Sequence, residues 1–238
     1  YFDIDSKQML NEDAILARKL SKEYGTEHHE IKITKDTYLE NLIESYSLIE
    51  EPNYNISLPV YLQTAKFEGI DGHKKRVILS GDGGDEVFGG YSYYLNNKKY
   101  DFFIKLLTPY IFNKIKNYSS GSSYKYQNIP HRWMSYKRMP GDFLKKQMDI
   151  SHILEYVDDI YSNYIDLYGV EKSSLHNMMI LDRIIWLASE NFIRSDKLFM
   201  SQSLEMRSPL SYTPLRVGFD KNLSNNEYIN KFNNKLFL

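Results

Sequence analysis

Residues 79–91 read Leu-Ser-Gly-Asp-Gly-Gly-Asp-Glu-Val-Phe-Gly-Gly-Tyr, and no other stretch restricts the architecture of the chain as much. The apolar run Val77-Ile78-Leu79 reads as a short strand. It delivers the backbone to a turn where Gly81, Gly83 and Gly84 let main-chain N–H groups come close to a ligand, and phosphate is the ligand such a turn suits. Asp82 and Asp85 lie three residues apart, so within one turn both carboxylates can reach one site. There they can hold a hard divalent cation together with waters and phosphate oxygens. A strand ending in such a turn places a Mg-nucleotide site at the C-terminal edge of a parallel sheet. A glycine-rich turn carrying acids is also an ordinary surface loop, so the turn by itself leaves that alternative open.

The flanking sequence supplies the helices and strands that such a sheet needs. Asn11 or Glu12 starts a helix whose apolar face includes Ile15, Leu16, Leu20 and Tyr24, and Gly25 ends it. A strand fits His28–Ile33. Thr34 or Asp36 caps a second helix with Leu39, Leu42, Ile43 and Tyr46 at helical spacing. Ser57 caps a third with Pro59 in its first turn, and Arg76–Ser80 is the next strand. This alternation predicts a Rossmann-like parallel sheet covered by helices over residues 1–95. Residues 96–238 then read as a mainly helical part, with helices over Asp101–Lys116, His131–Met139, His152–Tyr168, Ser174–Phe192 and Lys197–Leu204. Ser119-Ser120-Gly121-Ser122-Ser123 follows no strand and reads as a linker.

Composition excludes several function classes. A formal net charge of −1 argues against a broad nucleic-acid footprint. No apolar run approaches the roughly 18 residues that cross a bilayer, and no basic flank with an apolar core opens the chain. The absence of cysteine excludes thiolate chemistry within these residues and suits a reducing cytoplasm. His28-His29-Glu30 has metal-ligand residue types, but neighbours on a strand point to opposite faces and chelate one ion poorly. Trp133, Tyr136, Lys137 and Arg138 suit either a base-stacking platform or, the preferred reading, a buried aromatic face with a solvated basic edge. Glu190, Arg194, Asp196 and Lys197 form either a buried ion network or an exposed helix end.

Four segments in order carry a resemblance. Ser80-Gly81-Asp82-Gly83-Gly84-Asp85-Glu86 with Phe88-Gly89-Gly90-Tyr91 is similar to the S-G-E/D-G-S/G-D-E-x-F-G-G-Y signature of the asparagine synthetase family, in its ATP-pyrophosphatase synthetase domain. Gly25-Thr26-Glu27-His28-His29-Glu30-Ile31 resembles the family's L-G-T-x-H-H-E strand entry. Glu51-Pro52 with Ser57, Pro59, Tyr61 and Leu62 resembles its E-P…S-x-P-x-Y-L segment. Asp196-Lys197, Met200, Ser203-Leu204-Glu205 and Arg207-x-Pro209 resemble D-R-x-S-M-x-x-S-L-E-x-R-x-P, while residues 96–175 carry little of the likeness.

The resemblance implies an adenine nucleotide alpha hydrolase-like fold and ATP-dependent amide formation. In that reaction aspartate is activated as β-aspartyl-AMP, and ammonia derived from glutamine displaces AMP. ATP and Mg²⁺ are the implied cofactors. Carried over by position, Ser80 and Gly81 contact the adenosine part, Gly83 and Gly84 complete the nucleotide-binding turn, Asp85 holds Mg²⁺ and Asp82 lies at the intermediate as the catalytic acid. The family commonly has Glu at the place of Asp82, one methylene longer. It also reads R-V-P-F-L-D where this chain has Arg207-Ser208-Pro209-Leu210-Ser211-Tyr212, a departure that opens the acceptor to another carboxylate such as a sugar acid or a lactam-forming substrate. A catalytically idle binding module is the third alternative.

Three more expectations follow from the resemblance. The family's S-G-G-x-D-S pyrophosphate loop is absent from the sequence, which opens at Tyr1, and is expected before it; a lysine-bearing segment is expected after Leu238. Ammonia is expected from an upstream glutaminase domain, since its cysteine nucleophile is not among these residues. These residues alone are expected to fold without catalysing adenylation, and the open sheet edge allows self-association, a homodimer being the simplest form.

Overall fold

The computed structural model describes residues 12–53, 55–67, 76–97, 129–137, 149, 151–168 and 174–214. In chain order the helices are α1 (Glu12–Tyr24), α2 (Lys35–Ile49), α3 (Leu58–Ala65), α4 (Gly84–Phe88), α5 (Ile129–Tyr136), α6 (Ser151–Tyr168), α7 (Ser174–Leu181) and α8 (Ile193–Met200). A π-helical stretch, Asp182–Phe192, joins α7 to α8; the strands are β1 (Val77–Leu79) and β2 (Glu205–Arg207). The described residues belong to two compact units, one within 1–80 and 190–207, the other within 81–189 and 208–238.

In the first unit the local signals act where the sequence places them. Gly25 ends α1 at φ 63°, a left-handed conformation that glycine adopts without a Cβ penalty. Thr34 Oγ1 accepts a hydrogen bond from the Thr37 N–H at 3.2 Å and so caps α2. Pro59 stands in the first turn of α3, but the expected Ser57 cap is not made. The Ser57 hydroxyl donates instead to Asn55 Oδ1 at 2.6 Å. Ile49, Leu58, Leu62 and Leu198 form one buried cluster, and Ala65, Phe199 and Leu204 another. Each such large side chain removed from water contributes about 1.5–3 kcal/mol before entropy is counted.

The helix faces differ from expectation. Ile15, Leu16, Leu20 and Tyr24 of α1 are exposed, as are Leu39, Ile43 and Tyr46 of α2. The buried side of α2 carries Asn41, Ser45 and Ile49. Burial there is made tolerable by hydrogen bonds: Asn41 Nδ2 donates to Gln63 at 2.7 Å, and the Ser45 hydroxyl to the Leu42 carbonyl at 2.9 Å.

The chain is a mostly helical α/β protein with a small parallel sheet. β1 and β2 pair in parallel with Val77 opposite Glu205, Ile78 opposite Met206 and Leu79 opposite Arg207. The Arg76–Ser80 strand is trimmed to Val77–Leu79, and the strand expected over His28–Ile33 is reduced to a single bridging residue at Ile33. A strand persists only where a neighbour completes its ladder, and among the described residues β1 and β2 are the strands that supply one another with partners. The Rossmann-like breadth expected of the sheet is accordingly seen only in part.

In the second unit, α5 and α6 lie close to their expected spans, and the segment expected as one helix over Ser174–Phe192 changes to π-winding at Asp182. Tyr94, Trp133, Met134, Val157, Leu175, Met178, Met179 and Leu181 form its core. In the first unit α8 starts at Ile193 and ends at Met200, four residues earlier at each end than the expected Lys197–Leu204 helix. The expected helix Asp101–Lys116 and the Ser119–Ser123 linker lie outside the described residues. Among the described residues no helix is long and apolar enough to cross a membrane.

Candidate functional site

The glycine-rich turn opens the second unit and leads directly into α4. Gly81 is exposed, and a Cβ built there would meet no atom within 4 Å. Gly83 adopts φ 87° as the N-cap of α4, a conformation an L side chain rarely takes. A Cβ at Gly83 would be driven into the Ser211 hydroxyl, and one at Gly84 would sit 3.2 Å from Leu210 Cδ1. The three glycines therefore serve different ends. Gly81 keeps one side of the turn open, whereas Gly83 and Gly84 admit the Ser208–Ser211 segment against it.

Asp82 and Asp85 are both partly buried on this turn. The Gly84 N–H donates to the Gly81 carbonyl at 3.1 Å and the Val87 N–H to the Gly83 carbonyl at 2.9 Å, closing the turn into α4. The Asp85 carboxylate lies where a Cβ on Gly90 would be, and the Gly90 N–H donates to the Asp85 carbonyl at 2.9 Å. Ser80 belongs to the first unit, where its N–H donates to the Arg207 carbonyl at 2.8 Å and extends the ladder beyond β1.

A buried polar network fills the second unit next in sequence to the turn. Glu86 is 1% exposed, and its carboxyl accepts from the Tyr91 hydroxyl at 2.6 Å. Burial pushes the Glu86 carboxyl above the usual carboxylate range, a shift the Tyr91 hydrogen bond only partly offsets. Asp182, fully buried, accepts from the Tyr93 hydroxyl, the Tyr94 hydroxyl at 2.5 Å and Trp133 Nε1 at 2.9 Å. Lys137 Nζ approaches Asp182 Oδ1 at 2.6 Å. The same ammonium lies over the rings of Tyr91 at 4.8 Å and Trp186 at 4.1 Å. Burial lowers the Lys137 pKa, and Asp182 works against that shift.

Lys137 thus corrects the expectation of a solvated basic edge: desolvation is compensated by one carboxylate and a ring of aromatic faces. Sequence reasoning missed this network because its members come from three separated segments, 86–94, 133–137 and 182–186. The aromatic clusters Tyr91-x-Tyr93-Tyr94 and Trp133-x-x-Tyr136 beside a lone lysine were its only local signal. Arg138 lies outside the described residues.

Glu86 gives a pH-dependent prediction. Its folded-state affinity for a proton exceeds that of the unfolded chain, so the stability it contributes is full below its ordinary value of 4.5 and is lost as pH rises through the higher folded value. Glu86→Gln cannot ionise and lacks this loss. The urea midpoint of Glu86→Gln is expected to gain on that of the unsubstituted protein as pH is raised from about 4 to about 8; a difference independent of pH would contradict the assignment.

In the first unit Glu190 accepts from Asn53 Nδ2 at 2.9 Å, Asn55 Nδ2 at 2.6 Å and Arg194 at 3.2 Å, while the Arg194 guanidinium stacks 4.3 Å from the Tyr61 ring centroid. Of the two readings open for this stretch, the buried network holds for Glu190 and Arg194. Asp196 is exposed, and Lys197 Nζ caps the Ile49 carbonyl at 2.5 Å. His28 and His29 face different acids, Glu30 and Glu27, each at 3.1 Å. Among the described residues no group of three or more His, Cys, Asp or Glu side chains is placed to hold a metal ion. The donor set at the turn, one or two carboxylates, fits Mg²⁺ only in its usual mode, with phosphate oxygens and water completing the octahedron.

The asparagine synthase family profile matches residues 1–215. The chain belongs to the asparagine synthase family. It is 42% identical over 85 residues to a putative asparagine synthetase (glutamine-hydrolyzing) of Methanocaldococcus jannaschii, the match covering 35% of this chain and 16% of that protein. It is 34% identical over 88 residues to asparagine synthetase B of Escherichia coli, covering 34% of this chain and 15% of the relative. A probable asparagine synthetase of Schizosaccharomyces pombe is 36% identical over 90 residues, covering 35% and 15%. The matched segments thus span about a sixth of the length of these relatives. No solved structure matches the chain significantly.

Proposed function

We propose that this chain is part of a synthetase that makes asparagine from aspartate, ATP and ammonia derived from glutamine. Family membership over residues 1–215 carries the reading, and the Asp82–Asp85 turn supports it by retaining both acids and the open face at Gly81. The aspartate side-chain carboxylate attacks the α-phosphorus of ATP; the bond to the β-phosphate bridging oxygen breaks and pyrophosphate leaves. The ammonia lone pair then attacks the activated carbonyl carbon, and the C–O bond to AMP breaks.

The protein's part is positioning and charge management. Ser80 and Gly81 contact the adenosine portion through the backbone, with Gly83 and Gly84 shaping the turn beside it. Mg²⁺, when bound, neutralises charge on the phosphates, and Asp85 is the carboxylate that holds it. Asp82 orders ammonia and accepts the proton that the new amide nitrogen must lose.

The Ser208, Leu210, Ser211 and Tyr212 departures favour a second reading, in which the same chemistry amidates another carboxylate. Pyrophosphate release by the complete protein with a panel of carboxylates separates the readings. Release dependent on aspartate supports asparagine synthesis, release dependent on a sugar acid or a ring-closing acid supports the second reading, and none with any carboxylate would leave a binding module.

A further inference from the structure

Two serine hydroxyls far downstream converge on one carbonyl of the candidate turn. The Ser208 hydroxyl donates to the Asp82 carbonyl, the Ser211 hydroxyl lies 3.3 Å from that same oxygen, and the two hydroxyl oxygens are 2.9 Å apart. Both serines lie in the same compact unit as Asp82, 126 and 129 residues further along the chain. A carbonyl oxygen has two lone pairs, so it can receive both donors.

The local backbone explains the convergence. Pro209–Ser211 is a 3₁₀ turn closed by the Ser211 N–H on the Ser208 carbonyl at 3.1 Å. In a 3₁₀ turn side chains three residues apart eclipse, which puts both hydroxyls on one side. The contact continues along the loop. Ser211 fills the space beside Gly83, and Leu210 Cδ1 fills that beside Gly84. Three successive residues of the turn are thereby gripped from the same side.

We propose that Ser208 and Ser211 are positioning residues that latch the Asp82 carbonyl and so fix where the Asp82 carboxylate is held. The inference rests on the amide-forming role given to Asp82 above. It also joins two departures of this sequence that otherwise stand apart. Where the resembled pattern has valine and leucine, which donate nothing, this chain has the two serines; where that pattern commonly has glutamate, it has the shorter Asp82. A carboxylate on a shorter stem has less freedom to correct its own aim. Its accuracy therefore depends more on the backbone that carries it.

The test uses the complete protein with Ser208→Ala/Ser211→Ala, and Ser211→Ala alone as a milder variant read in the same way. Hydrogen exchange at the Gly84 and Val87 amides, whose bonds close the turn, is expected to quicken by about tenfold, the factor that one hydrogen bond supplies. The kcat of amide formation is expected to fall by about the same factor while the KM for ATP stays unchanged. Unchanged exchange overturns the latch. Faster exchange with an unchanged kcat, or a raised KM for ATP with an unchanged kcat, overturns the positioning role. If the unsubstituted protein releases no pyrophosphate with any carboxylate, the amide-forming reading fails instead, and the exchange rates alone still decide the latch.

Discussion

Asp85→Asn in the complete protein is expected to weaken Mg-ATP binding and to suppress pyrophosphate release by roughly a hundred- to a thousandfold, the cost typical of removing a single charge-stabilising group. The expectation follows from the donor count at the turn. Asp82 and Asp85 are the acids on it with partial exposure, whereas Glu86 is buried and held by Tyr91. With so few carboxylates available, replacing the negative oxygen of Asp85 by an amide leaves a hard cation with little protein anchoring. Asp82→Asn is expected to behave differently, sparing nucleotide binding while turnover is lost. Calorimetric titration with Mg-ATP and a pyrophosphate-release assay separate the two variants, and normal release by Asp85→Asn would refute its role.

The second large effect is on stability. Asp182→Ala strips the counter-ion from buried Lys137 and the acceptor from Tyr93, Tyr94 and Trp133 in one step. Removing one partner of a buried ion pair typically costs about 3–5 kcal/mol, because the remaining charge stays desolvated and uncompensated. An unfolding free energy lowered by that amount is expected, read as a fall in the urea midpoint at unchanged m-value. The double replacement Lys137→Met with Asp182→Leu should cost much less than the sum of its single changes, since it leaves no orphaned charge. Strictly additive losses would show that Lys137 and Asp182 are not energetically coupled.

Much of the geometry of the candidate turn was legible because its signals are local. A strand followed at once by Gly81, Gly83 and Gly84 admits few conformations, and the structure bears this out at φ 87° for Gly83 and in the turn leading to α4. Thr34 and Gly25 were legible for the same reason: a cap is a contact between residues three apart, and a left-handed stop is a property of one residue. The faces of α1 and α2 were not. Periodicity finds the apolar stripe of a helix, but which stripe is buried depends on what packs against it, and on α2 the buried side is the one where Asn41 and Ser45 find partners.

Long-range polar chemistry was the least legible. Nothing adjacent to Lys137 announces Asp182, 45 positions along, and nothing near Asp82 announces Ser208 or Ser211. At Ser57 the local rule failed for a backbone reason: the residue sits at φ −86°, ψ −7° rather than in the extended conformation from which an N-cap hydroxyl accepts a helix N–H, and its hydroxyl donates to Asn55 instead. In the sequence the departures at 208 and 211 raise the question of a different acceptor, but that their hydroxyls meet the Asp82 carbonyl, 126 and 129 positions away, has no local signal.

The proposal that a carboxylate is activated by adenylation is tested most directly by following an oxygen atom. Aspartate labelled with a heavy oxygen isotope in its side-chain carboxylate, supplied to the complete protein with Mg-ATP and ammonia, must transfer one labelled oxygen to the phosphoryl group of AMP as the amide forms. Label in AMP, with none in pyrophosphate, is the predicted result. Amide formed while AMP stays unlabelled, or label appearing in inorganic phosphate alongside ADP, would contradict attack at the α-phosphorus.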